Sequence, residues 1–203
     1  MAREKKPTDK RVTRRAKPKT AAGTAKKSPT GKAKPAVKDA AAAVGPACVY
    51  TLDVSLLSGP ITKKFAKKNK SVVRTIQIRG DQTLEQLHEC IFAAFDRDDE
   101  HMYEFQMGKG PMDPDGPRYV LPVAADQDFG PSVAGTVDAT TLNMMGLEEG
   151  RQFGYWFDFG DDWHHQIGVE KIEDGPGEGQ YPRVVKRLGE SPPQYDDWDE
   201  EGG

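Results

Sequence analysis

The segment from Phe157 to His165 brings together side chains that could do chemistry. It reads Phe-Asp-Phe-Gly-Asp-Asp-Trp-His-His and so carries three carboxylates, two imidazoles and one indole at one predicted strand turn. Carboxylates and imidazoles can exchange protons with a substrate, hold a divalent metal or bind a ligand. Aspartates in a tight turn can instead accept hydrogen bonds from backbone amides. The residue types leave all of these uses open.

Two further imidazoles can join this turn. His88 falls on the apolar face of a predicted helix, and His101 precedes a predicted strand. In an alternating strand His164 and His165 point to opposite faces, and His165 shares the parity of the apolar residues that follow it. The predicted pocket therefore comprises His88, His101, Asp158, Asp161, Asp162, Trp163 and His165.

Several uses of this pocket follow from its residue types. Imidazoles from His88, His101 and His165 beside aspartates would suit zinc, iron or manganese. Such a site predicts a metal-dependent hydrolase or nuclease, because the ion lowers the pKa of bound water. The alternatives are a ligand or partner pocket without metal, and buried histidines that only fix the packing of helix on sheet. Trp163 either covers the histidines or forms part of a recognition surface.

Most familiar catalytic motifs are missing from the sequence. It has no P-loop, no dinucleotide-binding fingerprint, no nucleophile elbow and no H-E-x-x-H. Two D-F-G triplets, at 128–130 and 158–160, lack every other kinase motif. We therefore expect a non-enzymatic binding module, with no cofactor, that recognises a protein partner or a small ligand. The metal-dependent enzyme remains the alternative.

The charges are distributed unequally along the 203 residues. Residues 1–46 contain 14 Lys or Arg and three acids, a net charge of +11, whereas residues 47–203 carry −14. The first segment has almost no large apolar side chains, which predicts a disordered arm. Lysine and arginine near phosphates release counterions, so this arm predicts weak, sequence-independent binding to nucleic acid. The alternatives are a solubilising extension and an arm that folds against the acidic C-terminus. The basic residues proposed for nucleic-acid contact are Arg11, Arg14, Arg15, Lys17, Lys19, Lys26 and Lys27.

Compartment signals are few. Two cysteines, Cys48 and Cys90, are weak evidence for an oxidising compartment. No stretch has the length and apolarity of a membrane span or a secretory signal. We expect a soluble, cytoplasmic protein without a membrane partner.

The central residues predict an α+β domain. Alternation predicts strands near Tyr50–Leu56, Val72–Ile78 and Tyr103–Met107, and a hairpin over Phe153–Val169 that turns at 160–162. Thr83 and Gln86 form a capping-box pattern at the start of an amphipathic helix. The order of these strands and this helix along the chain predicts a small mixed or antiparallel sheet with one covering helix, similar to a β-grasp fold. Residues 1–46 are predicted as the arm, 47–175 as the domain, and 176–203 as an irregular acidic extension.

Four segments together resemble the Ri-plasmid ORF-3-like family, whose members are often labelled transposon passenger or TnpR-like proteins. They are the strand from Tyr50 to Leu57, the helix entry Thr83-Leu84-x-x-Leu87-His88, the segment His101–Phe105, and Tyr155-x-Phe157-Asp158-Phe159-Gly160-Asp161-Asp162-Trp163-x-His165. The resemblance covers about residues 48 to 195 and implies an α+β domain of undefined activity. It also implies a mobile-element accessory or regulatory role as a further alternative. Two features differ from the family pattern: residues 65–75 are lysine-rich, and no cysteine stands near Pro192-Pro193.

Overall fold

The fold is that of a computed structural model, which describes residues 47–110, 112–113, 115–125 and 132–195. The predicted basic arm, residues 1–46, lies outside these described residues, so the prediction of its disorder stays a prediction. Within the described part, no helix has both the length and the apolar character needed to cross a membrane.

Strands dominate the described residues. The strands are β1 (Cys48–Ser58), β2 (Val73–Arg79), β3 (Tyr103–Gln106), β4 (Arg118–Val120), β5 (Val133–Thr136), β6 (Gln152–Phe157), β7 (Trp163–Asp174) and β8 (Arg183–Leu188). The helices are α1 (Lys63–Lys68), α2 (Leu84–Ala94) and α3 (Pro122–Ala125), and a 3₁₀ turn spans Asn143–Met145.

The eight described strands form one mixed sheet in the order β5-β4-β3-β6-β7-β1-β2-β8. Strands β4 and β5 pair in parallel, and the other neighbouring pairs in the described sheet are antiparallel. The predicted β6–β7 hairpin is confirmed, with Tyr155 opposite His165 and Phe157 opposite Trp163. Strand β1 lies inside the sheet, between β2, which follows it closely, and β7, which comes more than 100 residues later.

The predicted small sheet with one covering helix is wrong. The described residues form an eight-stranded mixed sheet, and the β-grasp-like prediction fails because it lacks both edge strands, β5 and β8, and helix α1. Strand β5 lies in a stretch without a predicted element, and β8 lies in the extension predicted as irregular. Most β8 side chains are exposed, so this edge strand lacks the apolar alternation on which strand prediction depends. Helix α1 gives no helical signal in the sequence, because Phe65 is its one large apolar residue.

Helix α2 begins and packs as its sequence predicts. The Thr83 hydroxyl accepts the Gln86 amide at 3.2 Å, and the Gln86 side-chain oxygen accepts the Thr83 amide at 3.0 Å. This reciprocal pair satisfies two of the amides that a helix N-terminus leaves unpaired. The buried face of α2 carries Leu84, Leu87, His88, Ile91 and Ala94. It lies on the same core as the aromatic side chains of β3, β6 and β7.

Two buried arginines connect α2 and the sheet to the residues after β8. We call residues 189–195 the C-terminal strap. Arg74 of β2 is 1% exposed and donates to the carbonyls of Ala94 and Leu188 and to the Ser191 hydroxyl. Arg97, which follows α2, donates to the Pro192 carbonyl. The strap therefore closes one side of the core, although its residues form neither helix nor strand.

Candidate functional site

The β6–β7 turn is built by its first aspartate. Asp158 has a left-handed φ of 54° and is 6% exposed. Its Oδ1 accepts the amides of Gly160 at 3.1 Å and Asp161 at 3.3 Å, and its carbonyl accepts the amide of Asp162 at 2.8 Å. Asp158 thus fills the turn-capping role that was one alternative for these acids.

Of the other two turn aspartates, Asp161 is half-buried, and the Asp162 side chain contacts His164. Asp162 has a largely exposed side chain, and its Oδ1 lies 3.8 Å from Nε2 of His164 on the outer face of the sheet. The Nε2 of His101 lies 3.5 Å from Asp158 Oδ2 and 2.8 Å from the Tyr195 hydroxyl of the C-terminal strap. His101 therefore contacts both Asp158 and the strap residue Tyr195.

His88 is part of a buried aromatic cluster on the inner face of the sheet. Its Nδ1 lies 2.7 Å from the Tyr155 hydroxyl, and its ring stacks on Tyr103 with centroids 3.6 Å apart and planes 4° apart. Nε2 lies 3.4 Å from a carboxylate oxygen of Glu100. Burial lowers the pKa of His88 to about 4, so the imidazole is neutral at physiological pH.

His165 lies beyond Tyr155 in the same cluster. Its ring centroid is 5.3 Å from that of Tyr155 and 4.8 Å from that of Phe95, and the residue is 1% exposed. Burial, and then the nearby charge of Arg97, lowers its pKa to about 3. Neither ring nitrogen makes a hydrogen bond of normal geometry within the described residues, although the backbones of Tyr155 and Trp163 are close enough to act on the ring.

Trp163 is a core residue and is not part of an exposed recognition surface. Its side chain is fully buried, and the guanidinium carbon of Arg97 lies 3.6 Å from the ring centroid. The stacked guanidinium is itself 6% exposed, and burial lowers its pKa to about 10. Nε and Nη2 of Arg97 have no hydrogen-bond partner among the described residues. Contact with the indole face replaces part of the hydration that this cation loses.

The three predicted metal ligands are therefore held apart. His88 contacts the Tyr155 hydroxyl, His101 contacts Tyr195 and Asp158, and His165 packs against the rings of Tyr155 and Phe95. Within the described ranges, no group of three His, Cys, Asp or Glu side chains has the geometry to hold a metal ion. The cluster gives instead a buried aromatic core whose two imidazoles, His88 and His165, are held neutral.

The sequence contained a signal for one residue of this region that prediction overlooked. Arg74 has the same strand parity as Ile76 and Ile78, so the alternation of β2 already placed it on the buried face. Arg97 and the strap gave no such signal, because they lie in irregular segments.

A separate pocket lies where β3, β4, α3 and the β6–β7 turn come together. It has a volume of about 180 Å³. Its walls and floor are formed by Met102, Glu104, Arg118, Val120, Ala124 and Phe159. Glu104 is 3% exposed; its carboxylate accepts Nη1 of Arg118 at 2.8 Å and the side-chain amide of Gln106 at 2.8 Å. Met102 and Phe159, by contrast, are more than a third exposed. The pocket thus combines an ion-paired floor with apolar residues that contact solvent.

These features define a class of protein: one mixed β-sheet with a capped helix over a histidine-containing aromatic core, closed by a C-terminal strap. The match to a family model, "Plasmid pRiA4b ORF-3-like protein", over residues 61–198 shows that the chain belongs to that family. This confirms the family that the sequence motifs predicted.

One relative and one solved structure illustrate the comparison. The chain is 29% identical over 127 residues to "Uncharacterized protein y4hQ" of Sinorhizobium fredii (strain NBRC 101917 / NGR234), a match that covers 61% of this chain and 58% of that protein. The chain thus matches less than two thirds of the length of this relative. A crystal structure of a protein of unknown function, MM3350 from Methanosarcina mazei Go1, superposes with a TM-score of 0.55 at 23% identity, covering 74% of this chain and 75% of the other. That similarity shows the fold.

Proposed function

We propose that the folded part of this chain is a non-enzymatic binding module that receives an apolar side chain of a protein partner. The observation that carries the proposal is the pocket beside β3, with exposed Met102 and Phe159 at its mouth. Large apolar side chains at the edge of a pocket indicate a contact surface more often than isolated exposed ones do.

The size of the pocket favours a partner side chain over a free ligand. Drug-sized molecules occupy cavities of roughly 300 to 1,000 Å³, whereas this pocket measures about 180 Å³. One aromatic or long aliphatic side chain is of suitable size. Protein interfaces concentrate their binding energy in such anchors, which fill a pocket and are surrounded by weaker contacts. Val123, beside Ala124 and 54% exposed, extends the apolar surface on which a partner would rest.

The state of the histidines supports binding over catalysis. His88 and His165 are at most 4% exposed, and burial lowers the pKa of both well below the ordinary value. Groups in this state neither reach a substrate nor accept its proton near neutral pH. The low cysteine content supports a cytoplasmic setting for the module.

Toluene, which reproduces a phenylalanine side chain, tests the pocket directly. We expect toluene, added in increasing amounts, to change the backbone amide NMR chemical shifts of Met102, Glu104, Val120 and Phe159. Ala124→Met should abolish these changes, because Ala124 lines the pocket and is 7% exposed, so a longer side chain fills the space. Val185→Ala is the matched control, since Val185 is an exposed apolar residue on β8. Shifts elsewhere, or shifts that persist in Ala124→Met, would overturn the proposal.

We also propose that the basic arm attaches the protein weakly to nucleic acid. This proposal is supported by the net charge of the arm, which is +11 over 46 residues, whereas the rest of the chain has a net charge of −14. Affinity of this origin comes from counterion release and does not depend on base sequence. A clear fall in affinity with rising salt is the property that this proposal requires.

A further inference from the structure

The structure has a lysine-rich surface at the end of the sheet where β1 passes into β2. Helix α1 and the residue pair after it present Lys63, Lys64, Lys67, Lys68 and Lys70, all exposed. Between Ser55 and Gly80 the sequence has no Asp or Glu, although residues 47–203 as a whole have a net charge of −14. Like charges this close repel one another, and an anionic segment seated here would relieve that repulsion.

An apolar groove of about 280 Å³ lies beside these lysines, between α1 and the C-terminal strap. Pro60, Ile61, Phe65, Pro192 and Pro193 supply its apolar lining, with Lys64 and Lys68 at its edge. Glu190 is the one carboxylate in that lining, and it pairs with Lys68 at 2.8 Å. A segment that fits this groove would carry an apolar anchor flanked by several acids.

The chain itself has such a segment directly after the described residues. Asp196-Asp197-Trp198-Asp199-Glu200-Glu201 places five carboxylates around one indole. Five carboxylates match the five lysines around α1, and the indole suits a lining of prolines and Phe65. The tether is short as well. Consecutive Cα atoms are 3.8 Å apart, so Trp198 cannot lie more than about 19 Å from Pro193 in the groove wall.

We propose that the acidic segment 196–201 docks in this groove of its own chain, with Trp198 between the prolines and Phe65 and its carboxylates against the α1 lysines. The four residues between Pro193 and Trp198 give the segment a high effective concentration, so contacts that are individually weak are sufficient. The docked segment would neutralise the lysine-rich surface and keep other polyanions from it.

Quenching of Trp198 fluorescence by acrylamide in the full chain tests this placement. Trp163 is fully buried and Trp156 is half-buried, and subtracting the signal of Trp198→Phe isolates Trp198. We expect Lys64→Glu/Lys67→Glu/Lys68→Glu to raise the Stern–Volmer constant of Trp198 about threefold, a size consistent with several exposed ion pairs of small individual strength. Salt near 1 M, where the Debye length is about 3 Å, should have the same effect on the unsubstituted chain. Lys109→Glu, an exposed lysine in another loop, is the control and should change nothing.

Charge reversal distinguishes this proposal from general destabilisation. Asp196→Lys/Asp197→Lys/Asp199→Lys combined with the three α1 substitutions should restore protection of Trp198. Protection that increases with protein concentration would assign the groove to the tail of a second copy and overturn docking within one chain. A Stern–Volmer constant that is identical in the unsubstituted chain, the α1 variant and high salt would overturn the site itself.

Discussion

At the scale of single residues, Tyr155 organises the inner face of the sheet. Its hydroxyl pairs with His88, and its ring lies between those of His88 and His165. Burial raises the pKa of Tyr155 well above its ordinary value, so the phenol stays protonated and remains a donor. His88 and His165, which the sequence predicted as metal ligands, are therefore neutral side chains packed in an aromatic cluster.

The neutral histidines predict acid sensitivity. Both imidazoles have a pKa in the folded state, about 4 for His88 and about 3 for His165, that lies below the ordinary 6.5. The unfolded chain therefore binds protons first as the pH falls. The contribution of the two neutral histidines to the free energy of unfolding is fully present above about pH 6.5. It decreases as the pH falls from there toward 4, by an amount of the order of several kcal/mol.

Chemical denaturation between pH 7.5 and 4.5 measures this decrease. His88→Gln/His165→Phe should flatten the dependence of the free energy of unfolding on pH, since neither new side chain titrates. Phe95→Leu, which alters packing against the ring of His165 without changing a titratable group, should lower stability by a similar amount at every pH. A double variant with the original pH slope would show that other groups bind the protons.

At the scale of elements, local signals in the sequence were sufficient for α2 and for the β6–β7 hairpin. The capping box, the spacing of Leu84 and Leu87, and the glycine–aspartate turn act within a few residues of each other, so their structural result is readable locally. Strand β8 and helix α1 depend on partners far away in sequence. Arg74, for example, contacts Leu188 across 114 residues, and no local pattern reports such pairing.

Thr83 is the residue on which the start of α2 most depends. Thr83→Ala removes the hydroxyl that accepts the Gln86 amide, and loss of such a cap typically costs about 1 kcal/mol. We expect urea denaturation to show a reduced midpoint with an unchanged slope, as stability falls without a change in the surface exposed. Thr83→Ser retains the hydroxyl and should restore most of the loss. Equal stability of the alanine and serine variants would contradict this role for the cap.

The candidate site was less predictable than these elements. In the structure Asp158 lies beside His101, and His88 is on the buried face of α2. The sequence did not predict that Tyr155 would separate His88 from His165, because parity fixes the face of a side chain and not its neighbours across the sheet. The pocket with Glu104 at its floor was also missed. A buried carboxylate between Tyr103 and Phe105 has no apolar signature, and its partner Arg118 lies on the adjacent strand.

At the scale of the whole molecule, charge is segregated along the chain, with the arm at +11 and the remainder at −14. We expect substitution of Arg11, Arg14, Arg15, Lys17, Lys19, Lys26 and Lys27 by glutamine to weaken binding of the full chain to duplex DNA. The slope of log affinity against log salt should become shallower by up to about 0.9 for each phosphate that the arm no longer neutralises. Fluorescence anisotropy with duplexes of two unrelated sequences measures both quantities. An unchanged slope, or a preference for one duplex, would contradict non-specific attachment through the arm.

The position of β1 has a consequence for synthesis on the ribosome. Strand β1 emerges early, yet one of its two neighbours, β7, is complete only at Asp174, and the strap that holds Arg74 ends at Tyr195. Until then β1 is unpaired on the side that β7 will occupy, and Arg74 lacks the Leu188 carbonyl and the Ser191 hydroxyl. Premature termination anywhere before β7 would therefore yield a fragment open to chaperones and proteases, and not a smaller stable domain.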